Sequence, residues 1–263
     1  MKRMLLSVLF CMMLMSGNIL VAQAEEVTQL VAGQKYELSF SGDESEKLIF
    51  TMPSKGYFYY EVMPTSCTNT ETNEIMTDGF YIDHVRMLVD GKEYEDEYWT
   101  WAGKGTTSNR YSFKKGTKIE ISIAQSSLYT DEYVINYTIR VIVKNPNNFE
   151  KENNNTKSKA NAIKKGKNYN GLIMEADTDY YIFKAPKTKK YKIQIAATSD
   201  DGEVRAEVLK GLKSLGRKET SYGDGFVTLY SGKIKKGQKI YVKIYGESPV
   251  FFDGNLLYRL KIK

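Results

Sequence analysis

The segment Ile234–Ile244, with the sequence IKKGQKIYVKI, recurs with few changes as FKKGTKIEISI at Phe113–Ile123. In both copies a Lys-Lys-Gly turn precedes apolar residues at every second position. Alternate residues of an extended chain point to opposite faces, so this pattern predicts a strand with one buried face. In the second copy the predicted core face holds Ile240, Val242 and Ile244.

Three further segments of the first half match segments of the second half in the same order. The matched pairs are Val31–Tyr36 with Lys164–Tyr169, Leu48–Pro53 with Tyr181–Pro186, and the closing strands Tyr137–Lys144 with Tyr258–Lys263. Matches in a fixed order indicate a duplicated unit. The sequence therefore predicts two copies of one domain in tandem.

Short strands and turns dominate the rest of the chain and predict an all-β fold. Asp90-Gly91 separates the strand-like runs Val85–Val89 and Lys92–Tyr98, and this dipeptide is a strong signal for a two-residue hairpin. Strands spaced by about 8–12 residues are typical of antiparallel β-sandwiches. A short helix is predicted only at Thr156–Ile163.

The first 24 residues have the three parts of a secretory signal peptide. Lys2 and Arg3 form the basic start, Met4–Val21 is mostly apolar, and Ala22-Gln23-Ala24 fits a cleavage site. A transmembrane helix is the alternative, but a polar break interrupts the apolar run, and no later segment approaches the ~20 apolar residues of a span. We predict cleavage after Ala24 and export as a secreted, soluble protein.

Charge is distributed unevenly between the two halves. Residues 25–149 carry 12 Lys and Arg against 19 Asp and Glu, whereas residues 150–263 carry 24 against 13. One interpretation is two solvated surfaces of opposite sign that attract each other. The other is a basic second domain that binds an anionic partner, such as a cell-wall polymer or an acidic glycan. Nucleic acid is disfavoured, because no nucleic-acid-binding motif accompanies the scattered lysines.

Carboxylate and amide side chains cluster at the start of the second copy. Glu150, Glu152 and Asn154 alternate along the chain, and Asp177 and Asp179 alternate again further on. Alternate residues share a face of an extended segment, so these groups would converge if the two segments lay side by side. Oxygen ligands of this kind suit calcium, which takes about six to eight. On residue types alone, an ordinary asparagine-rich linker with solvated glutamates is the alternative.

This region resembles the bacterial pre-peptidase C-terminal domain family. The family pattern is Glu-x-Glu-x-Asn-Asp/Asn, an Ala-rich stretch, a Gly before a strand, and Asp-x-Asp-Tyr-Tyr-x-Phe. The corresponding segments here are FEKENNNT at Phe149–Thr156, Gly171, and DTDYYIF at Asp177–Phe183. The resemblance covers about residues 148–263. It implies a jelly-roll-like β-sandwich of the kind attached to secreted proteases, including clostridial collagenases, which can bind calcium and, in some members, collagen.

The resemblance also implies site residues. The implied calcium ligands are Glu150, Glu152, Asn154, Asn155 and Asp179, with Asp177 as a further candidate. Many collagenase members have aspartate where Asn155 stands, so the site here would carry one negative charge less. Tyr241 and Tyr245 fall on a strand comparable to the one that contacts collagen in those modules.

The domain organisation follows from the duplication and the resemblance together. We predict a signal peptide at residues 1–24, a diverged sandwich at 25–144, a linker at 145–149 and a calcium-binding sandwich at 150–263. The first copy has Glu44-Ser45-Glu46 where the second has Asp177-Thr178-Asp179, and it lacks the upstream Glu-x-Glu-x-Asn pattern. We expect no calcium site of this type in the first copy.

The run Glu93–Trp101 combines alternating glutamates with aromatic residues. Paired carboxylates beside aromatics suit a glycosidase cleft or a sugar-binding platform. The alternative is a hairpin with a charged outer face and aromatic side chains packed into the core. Exposure of Trp99 or Trp101 would favour carbohydrate stacking.

No arrangement of residues typical of an enzyme is found elsewhere in the sequence. His84 and Cys67 could form a thiol–imidazole pair, but Cys67 is predicted to lie in a polar loop, Thr65–Thr77, and His84 has no evident partners. Cys67 is also the sole cysteine after residue 24, which excludes an internal disulfide in the mature chain. We therefore expect a non-catalytic protein.

Two functions remain open from the sequence. The first is a secreted binding module, stiffened by calcium, that recognises an extracellular polymer or surface, protein or polysaccharide, through aromatic and basic strand faces. The second is an accessory or inhibitory partner of a separate secreted peptidase, because domains of the pre-peptidase C-terminal family usually occur in the same chain as a peptidase.

Overall fold

The computed structural model describes residues 27–41, 45–125, 132–174, 177–199, 202–246 and 256–263. The predicted signal peptide lies outside these residues. Within them the regular secondary structure consists of strands, apart from one 3₁₀ turn at Lys157–Lys159. No helix in the described part of the chain is long and apolar enough to cross a membrane.

The first half forms two sheets. Its strands are β1 (Thr28–Leu30), β2 (Lys35–Ser41), β3 (Ser45–Thr51), β4 (Tyr57–Asn69), β5 (Ile75–Met76), β6 (Tyr81–Val89), β7 (Lys92–Trp101), β8 (Thr106–Thr107), β9 (Lys118–Ala124) and β10 (Tyr133–Lys144). One sheet has the order β1-β3-β9-β6-β7, and the other has the order β2-β10-β4-β5 with β8 beside β4. The pair β1–β3 is parallel, and the other pairs are antiparallel.

The second half repeats this plan. Its strands are β11 (Asn161–Ile163), β12 (Asn168–Ile173), β13 (Thr178–Lys184), β14 (Lys189–Ala197), β15 (Val204–Lys210), β16 (Lys213–Thr220), β17 (Val227–Ile234), β18 (Lys239–Tyr245) and β19 (Leu256–Ile262). The sheet orders are β11-β13-β18-β15-β16 and β12-β19-β14-β17. Again the first pair, β11–β13, is parallel. The all-β sandwich fold is confirmed, while the domain boundaries stay a prediction.

Each half has its own hydrophobic core, and the cores follow the alternation seen in the sequence. Ile240, Val242 and Ile244 of β18 are fully buried, as predicted. The hairpin at Asp90-Gly91 also forms, with Val89 opposite Lys92 and both turn residues at positive φ (51° and 75°). Such a turn matches the twist of the two strands it joins.

The described residues of the two halves touch through a few apolar side chains. Met174 packs against the core of the first half, and its sulfur accepts a hydrogen bond from the Ser112 amide at 3.5 Å. The ring of Phe149 lies 6.0 Å from that of Tyr57. A cleft runs between the halves beside Met174.

Three local predictions were wrong. Cys67 lies within β4 and is fully buried, not in a polar loop. Thr156–Ile163 contains a 3₁₀ turn and strand β11 rather than a helix. His84 has a partner, since its Nδ1 lies 3.0 Å from Asp96 Oδ1.

The hairpin Glu93–Trp101 does not have the arrangement of charged residues outside and aromatic residues in the core that was the alternative for this segment. Glu95 is buried and accepts hydrogen bonds from the Tyr60 hydroxyl (3.1 Å) and the Asn109 amide (2.8 Å). The register of β6 and β7 shifts between Met87 and Leu88, and a shift of one residue exchanges the two faces of a strand. Trp99 and Trp101 are exposed rather than packed into the core.

Candidate metal centre

The segment before β11 is fastened to the second sandwich by backbone and amide contacts. Glu150 N donates to the Asn170 carbonyl at 2.9 Å, and Asn170 Nδ2 donates to the Asn147 carbonyl at 2.7 Å. Asn161 holds Lys151 from the other side, accepting from its amide and donating to its carbonyl, both at 3.1 Å. Tyr180 N donates to the Asn154 carbonyl at 3.0 Å, which brings the segment beside β13. The two acidic segments therefore lie side by side, which is the condition that the sequence analysis set for their side chains to converge.

Glu150 occupies the centre of this arrangement and is 3% exposed. Its Oε1 accepts a hydrogen bond from the Leu172 amide at 2.6 Å. Its Oε2 accepts from the Tyr181 hydroxyl (3.2 Å) and from Asn154 Nδ2 (3.1 Å), and it lies 2.9 Å from the Tyr258 hydroxyl. These donors hold the carboxylate in one orientation.

Four other residues present buried oxygens that have no hydrogen-bond partner. These atoms are Glu152 Oε1, Asn154 Oδ1, Asp177 Oδ2 and Asp179 Oδ1. Carboxylate oxygens of Glu150, Glu152 and Asp179 lie within 4.8 Å of one another. Burying an unpaired polar oxygen costs free energy, and burying several carboxylates together adds repulsion. Within the described ranges, no cationic side chain is hydrogen-bonded to these oxygens, so a bound cation would satisfy them.

The electrostatics of the cluster lead to the same conclusion. Burial raises the pKa of Glu150 to about 6. Burial, together with the charges of Glu150 and Asp177, raises the pKa of Glu152 to about 9. Burial and the charges of Glu150, Asp177 and Glu152 raise the pKa of Asp179 well above its usual range. Without a cation, Glu152 therefore stays largely protonated at neutral pH, and ionisation of Asp179 is disfavoured.

The donor set fits a calcium ion. Carboxylate and amide oxygens are hard ligands, and calcium accepts them in flexible geometry. The exposed edge of the cluster supplies room for water, because Glu152 and Asp177 line the cleft between the two halves. Lys92 and Lys114 of the first half line the same cleft.

The amide of Asn155 contacts Asp177 rather than the centre of the cluster. Asn155 Nδ2 donates to Asp177 Oδ1, which also accepts from the Thr178 amide at 2.8 Å. This contact leaves the other oxygen, Asp177 Oδ2, unpaired and buried. Asn155 thus orients Asp177 in the arrangement described here.

Two tyrosines that the sequence did not single out as functional complete the site. Tyr258 donates to Asp179 Oδ2 at 2.6 Å, and its hydroxyl lies 2.8 Å from that of Tyr181. Burial and the adjacent carboxylates raise the pKa of Tyr258 well above its usual range, so its hydroxyl stays protonated as a donor. Gly171 lies against Tyr258, because a Cβ there would come within 2.1 Å of the tyrosine hydroxyl. The sequence feature that could have indicated this role is the presence of tyrosine in both β13 and β19.

The first copy keeps only a remnant of this site. Glu46 pairs with Ile123 of β9 as Asp179 pairs with Ile244 of β18, and these isoleucines occupy matching positions of the repeat. The Tyr137 hydroxyl donates to Glu46, as Tyr258 donates to Asp179. Among the described residues, no group of metal-binding side chains includes Glu46.

The predicted aromatic contacts fall in two different environments. Tyr241 and Tyr245 lie on the outer face of β18, half-buried, with cationic groups over their rings. Lys157 Nζ lies 5.9 Å from the Tyr241 ring centre, and Lys243 Nζ lies 4.7 Å from that of Tyr245. These rings are therefore partly covered.

Trp99 and Trp101, in contrast, are 61% and 44% exposed, and Tyr98 beside them is 58% exposed. The Trp101 ring contacts Tyr81 at 4.7 Å between ring centres. Trp99 has φ of 56°, in the left-handed region that bulky side chains rarely adopt. We call Tyr98, Trp99 and Trp101 the aromatic patch.

Comparisons with known proteins show resemblance in structure only. No family model and no curated protein matches the sequence. Among solved structures, the chain is similar to the pre-peptidase C-terminal domain of a collagenase from Bacillus anthracis, with 18% identity over 40% of this chain and 94% of that one (TM-score 0.32). It is also similar to the tandem CBM51 modules of a family 98 glycoside hydrolase from Streptococcus pneumoniae, with 12% identity over 86% of this chain and 83% of that one (TM-score 0.25).

Proposed function

We propose that the protein is a non-catalytic extracellular binding module whose second sandwich holds one calcium ion. The observation that carries the calcium assignment is that carboxylate oxygens of Glu150, Glu152 and Asp179 lie within 4.8 Å of one another, while buried oxygens of Glu152 and Asp179 have no hydrogen-bond partner. A divalent cation satisfies these oxygens and offsets the repulsion among the carboxylates. Glu150, Glu152, Asn154, Asp177 and Asp179 hold the ion, and Asn155 supports Asp177.

Calcium fastens the segment before β11 to β13, because the ligands come from both. Glu152 and Asp177 line the same cleft as Met174, so an ion that they held would lie beside the contact between the two halves. The proposed role of the metal is thus structural: it stabilises the second sandwich and stiffens its junction with the first.

Thermal unfolding in excess calcium and in chelator tests this assignment. A ligand at ~100 times its dissociation constant adds about 2.7 kcal/mol to the free energy of unfolding, which corresponds to several degrees. We expect calcium to raise the melting temperature by that amount in the wild type and not in a Glu150→Ala/Glu152→Ala variant. Equal shifts in the two proteins would place calcium elsewhere.

Polymer recognition is proposed for the aromatic patch of the first sandwich. Exposed, adjacent aromatic rings offer flat apolar faces on which sugar rings can stack. Binding is favourable because the ligand removes the apolar surface of the rings from water. The strained backbone at Trp99 supports this role, because strain of this kind concentrates at ligand contacts. The polymer is therefore a polysaccharide in this proposal. A peptidase partner stays a prediction.

A Trp99→Ala/Trp101→Ala variant is expected to lose retention on polysaccharide supports by about tenfold or more, since each aromatic contact contributes about 0.5–1.5 kcal/mol beyond its buried area. Affinity electrophoresis with a panel of soluble glycans measures the loss. Tyr222→Ala, which removes another exposed ring (63% exposed), is the matched control and should behave as the wild type. Unchanged retention of the double variant would contradict the role of the patch.

A further inference from the structure

The two sheets of the second sandwich differ in the charges that their strands carry. The strands of one sheet, β12, β19, β14 and β17, contain no Asp or Glu among their residues. They contain several lysines and an arginine instead. The other sheet of the same sandwich mixes both signs, for example in the pair Arg205 Nε–Glu219 Oε1 at 3.1 Å.

The basic side chains of the acid-free sheet lie on the side opposite the core. On β14, Tyr191 and Ile193 are buried, so Lys190 and Lys192 point outward. The same alternation places Arg259, Lys261 and Lys263 outward on and directly after β19, where Leu260 and Ile262 are buried. Lys233 of β17 pairs with Lys190 across the strands. We call Lys190, Lys192, Lys233, Arg259, Lys261 and Lys263 the basic face.

These cations are close enough to repel one another. Neighbouring strands lie about 4.8 Å apart and alternate residues about 6.8 Å apart, so the charges form a two-dimensional array. Burial, followed by the charges of Lys263, Arg259 and Lys192, lowers the pKa of Lys261. An array of like charges is unfavourable by itself and becomes favourable when an anionic partner covers it.

We propose that the basic face binds a linear acidic glycopolymer that bears one carboxylate or phosphodiester on each repeat. This inference rests on the proposed function of the protein as an extracellular polymer-binding module, and it assigns the ligand class and a second contact surface. Five of the six cations are lysines, which act as point charges and accept either anion without the geometric demands of arginine.

Uncharged polar side chains between the cations suit a hydroxylated polymer. Asn168 is opposite Lys261 in the register, and Asn170 is opposite Arg259. Ser231, which is exposed, is opposite Lys192. Amide and hydroxyl groups at these positions can exchange hydrogen bonds with sugar or polyol hydroxyls.

The same face is unsuited to single-stranded nucleic acid, which relies on open aromatic rings for base stacking. The ring of Phe226 adjoins the basic face, but cations cover it. Lys261 Nζ lies 3.4 Å from its centre, and the Arg259 guanidinium carbon lies 5.5 Å away. Electrostatic attraction of a flexible polyanion requires no such platform.

Binding of two polyanions by charge-matched variants tests the inference. The face variant is Lys190→Gln/Lys192→Gln/Arg259→Gln, and the control is Lys210→Gln/Lys213→Gln/Lys218→Gln, which removes three exposed cations from β15 and β16. The probes are hyaluronate, which carries carboxylates, poly(glycerol phosphate), which carries phosphodiesters, neutral dextran and single-stranded DNA. Equal melting temperatures of the three proteins in calcium verify their folding.

We expect the wild type to bind at least one of the two polyanions at low salt and to release it as salt screens the charges. The face variant should bind on the order of tenfold more weakly, and the control should stay within about twofold of the wild type. Preference for one probe identifies the anion. Binding to dextran through the same residues would contradict the inference.

Four other outcomes overturn it: no binding of either polyanion, equal losses in both variants, tighter binding of single-stranded DNA than of the polyanions, or salt-sensitive self-association that the face variant abolishes. The last outcome would mean that the acidic first half of a second copy covers the face. A protein that responds to calcium but binds neither polyanion refutes the basic face alone. A protein that binds polyanions without a calcium response refutes the metal site and leaves the basic face standing.

Discussion

Glu152→Gln is expected to reverse its effect on stability when calcium is removed. In calcium the variant should melt below the wild type, because it has lost a metal ligand. We expect its affinity for calcium to fall by a factor on the order of 100 or more, since loss of a residue that only orients a ligand already lowers metal affinity by about 10- to 100-fold. In chelator it should melt above the wild type, because a buried carboxylate with an unpaired oxygen is replaced by a neutral amide that can donate to its neighbours. We expect a gain of about 1–3 kcal/mol at pH 7.

Differential scanning calorimetry of both proteins in the two buffers measures the reversal. Glu71→Gln, which neutralises an exposed glutamate of the first half, is the matched control and should change neither melting temperature by much. A variant that is less stable than the wild type in both buffers would mean that Glu152 is satisfied by the protein alone.

Without calcium, the stability of the second sandwich should fall as the pH rises from about 4.5 towards about 9. The pKa of Glu150 is raised to about 6 and that of Glu152 to about 9, so the folded state keeps protons that the unfolded chain releases above about 4.5. Stability then falls with pH by about 1.4 kcal/mol per unit for each proton of difference. The stability that the two protonated glutamates contribute is fully present below the pKa of the unfolded chain. It is lost as the pH rises through the pKa values of the folded state.

Saturating calcium should flatten this dependence, because the ion replaces the protons and its affinity rises as the carboxylates ionise. Urea unfolding at several pH values, in calcium-free buffer and in excess calcium, provides the comparison. Stability that rises with pH in calcium-free buffer would show that the carboxylates are already stabilised as anions, and the need for a metal would disappear.

The sequence predicted the parts of the fold that depend on simple alternation. The buried face of β18 and the Asp90-Gly91 hairpin were both predicted correctly, because period-two patterns and left-handed turn residues are local properties. The alternate spacing placed the acidic groups on one face of each segment, but it left open whether the Glu150 segment lies beside β13; only the family resemblance implied the approach that the structure has.

The sequence did not reveal features that depend on register and on distant packing. The register of β6 and β7 shifts between Met87, which is opposite Glu95, and Leu88, which is opposite Glu93, and Glu95 is buried. The hairpin sequence contains no residue that predicts this shift. Cys67 is surrounded in sequence by Thr, Ser and Asn, yet the long pairing of β4 with β10 carries it into the core. The roles of Tyr181 and Tyr258 arise because β13 and β19, far apart in sequence, face each other across the sandwich.

The basic face is another feature that depends on how distant strands pack together. Composition showed a basic second half, but composition alone could not separate solvated lysines from a binding surface. The sheet order places β14 between β19 and β17, and this neighbourhood collects cations from three strands on one face. The topology thus converts a scattered sequence feature into a defined surface.

Calorimetric titration of the purified, chelator-treated protein with calcium tests the central claim most directly. The account predicts one site per chain in the wild type, and no binding at that affinity in Asp179→Asn, which removes the charge of a buried ligand but retains an acceptor for Tyr258. Absence of calcium binding in the wild type, or an unchanged site in the variant, would contradict it.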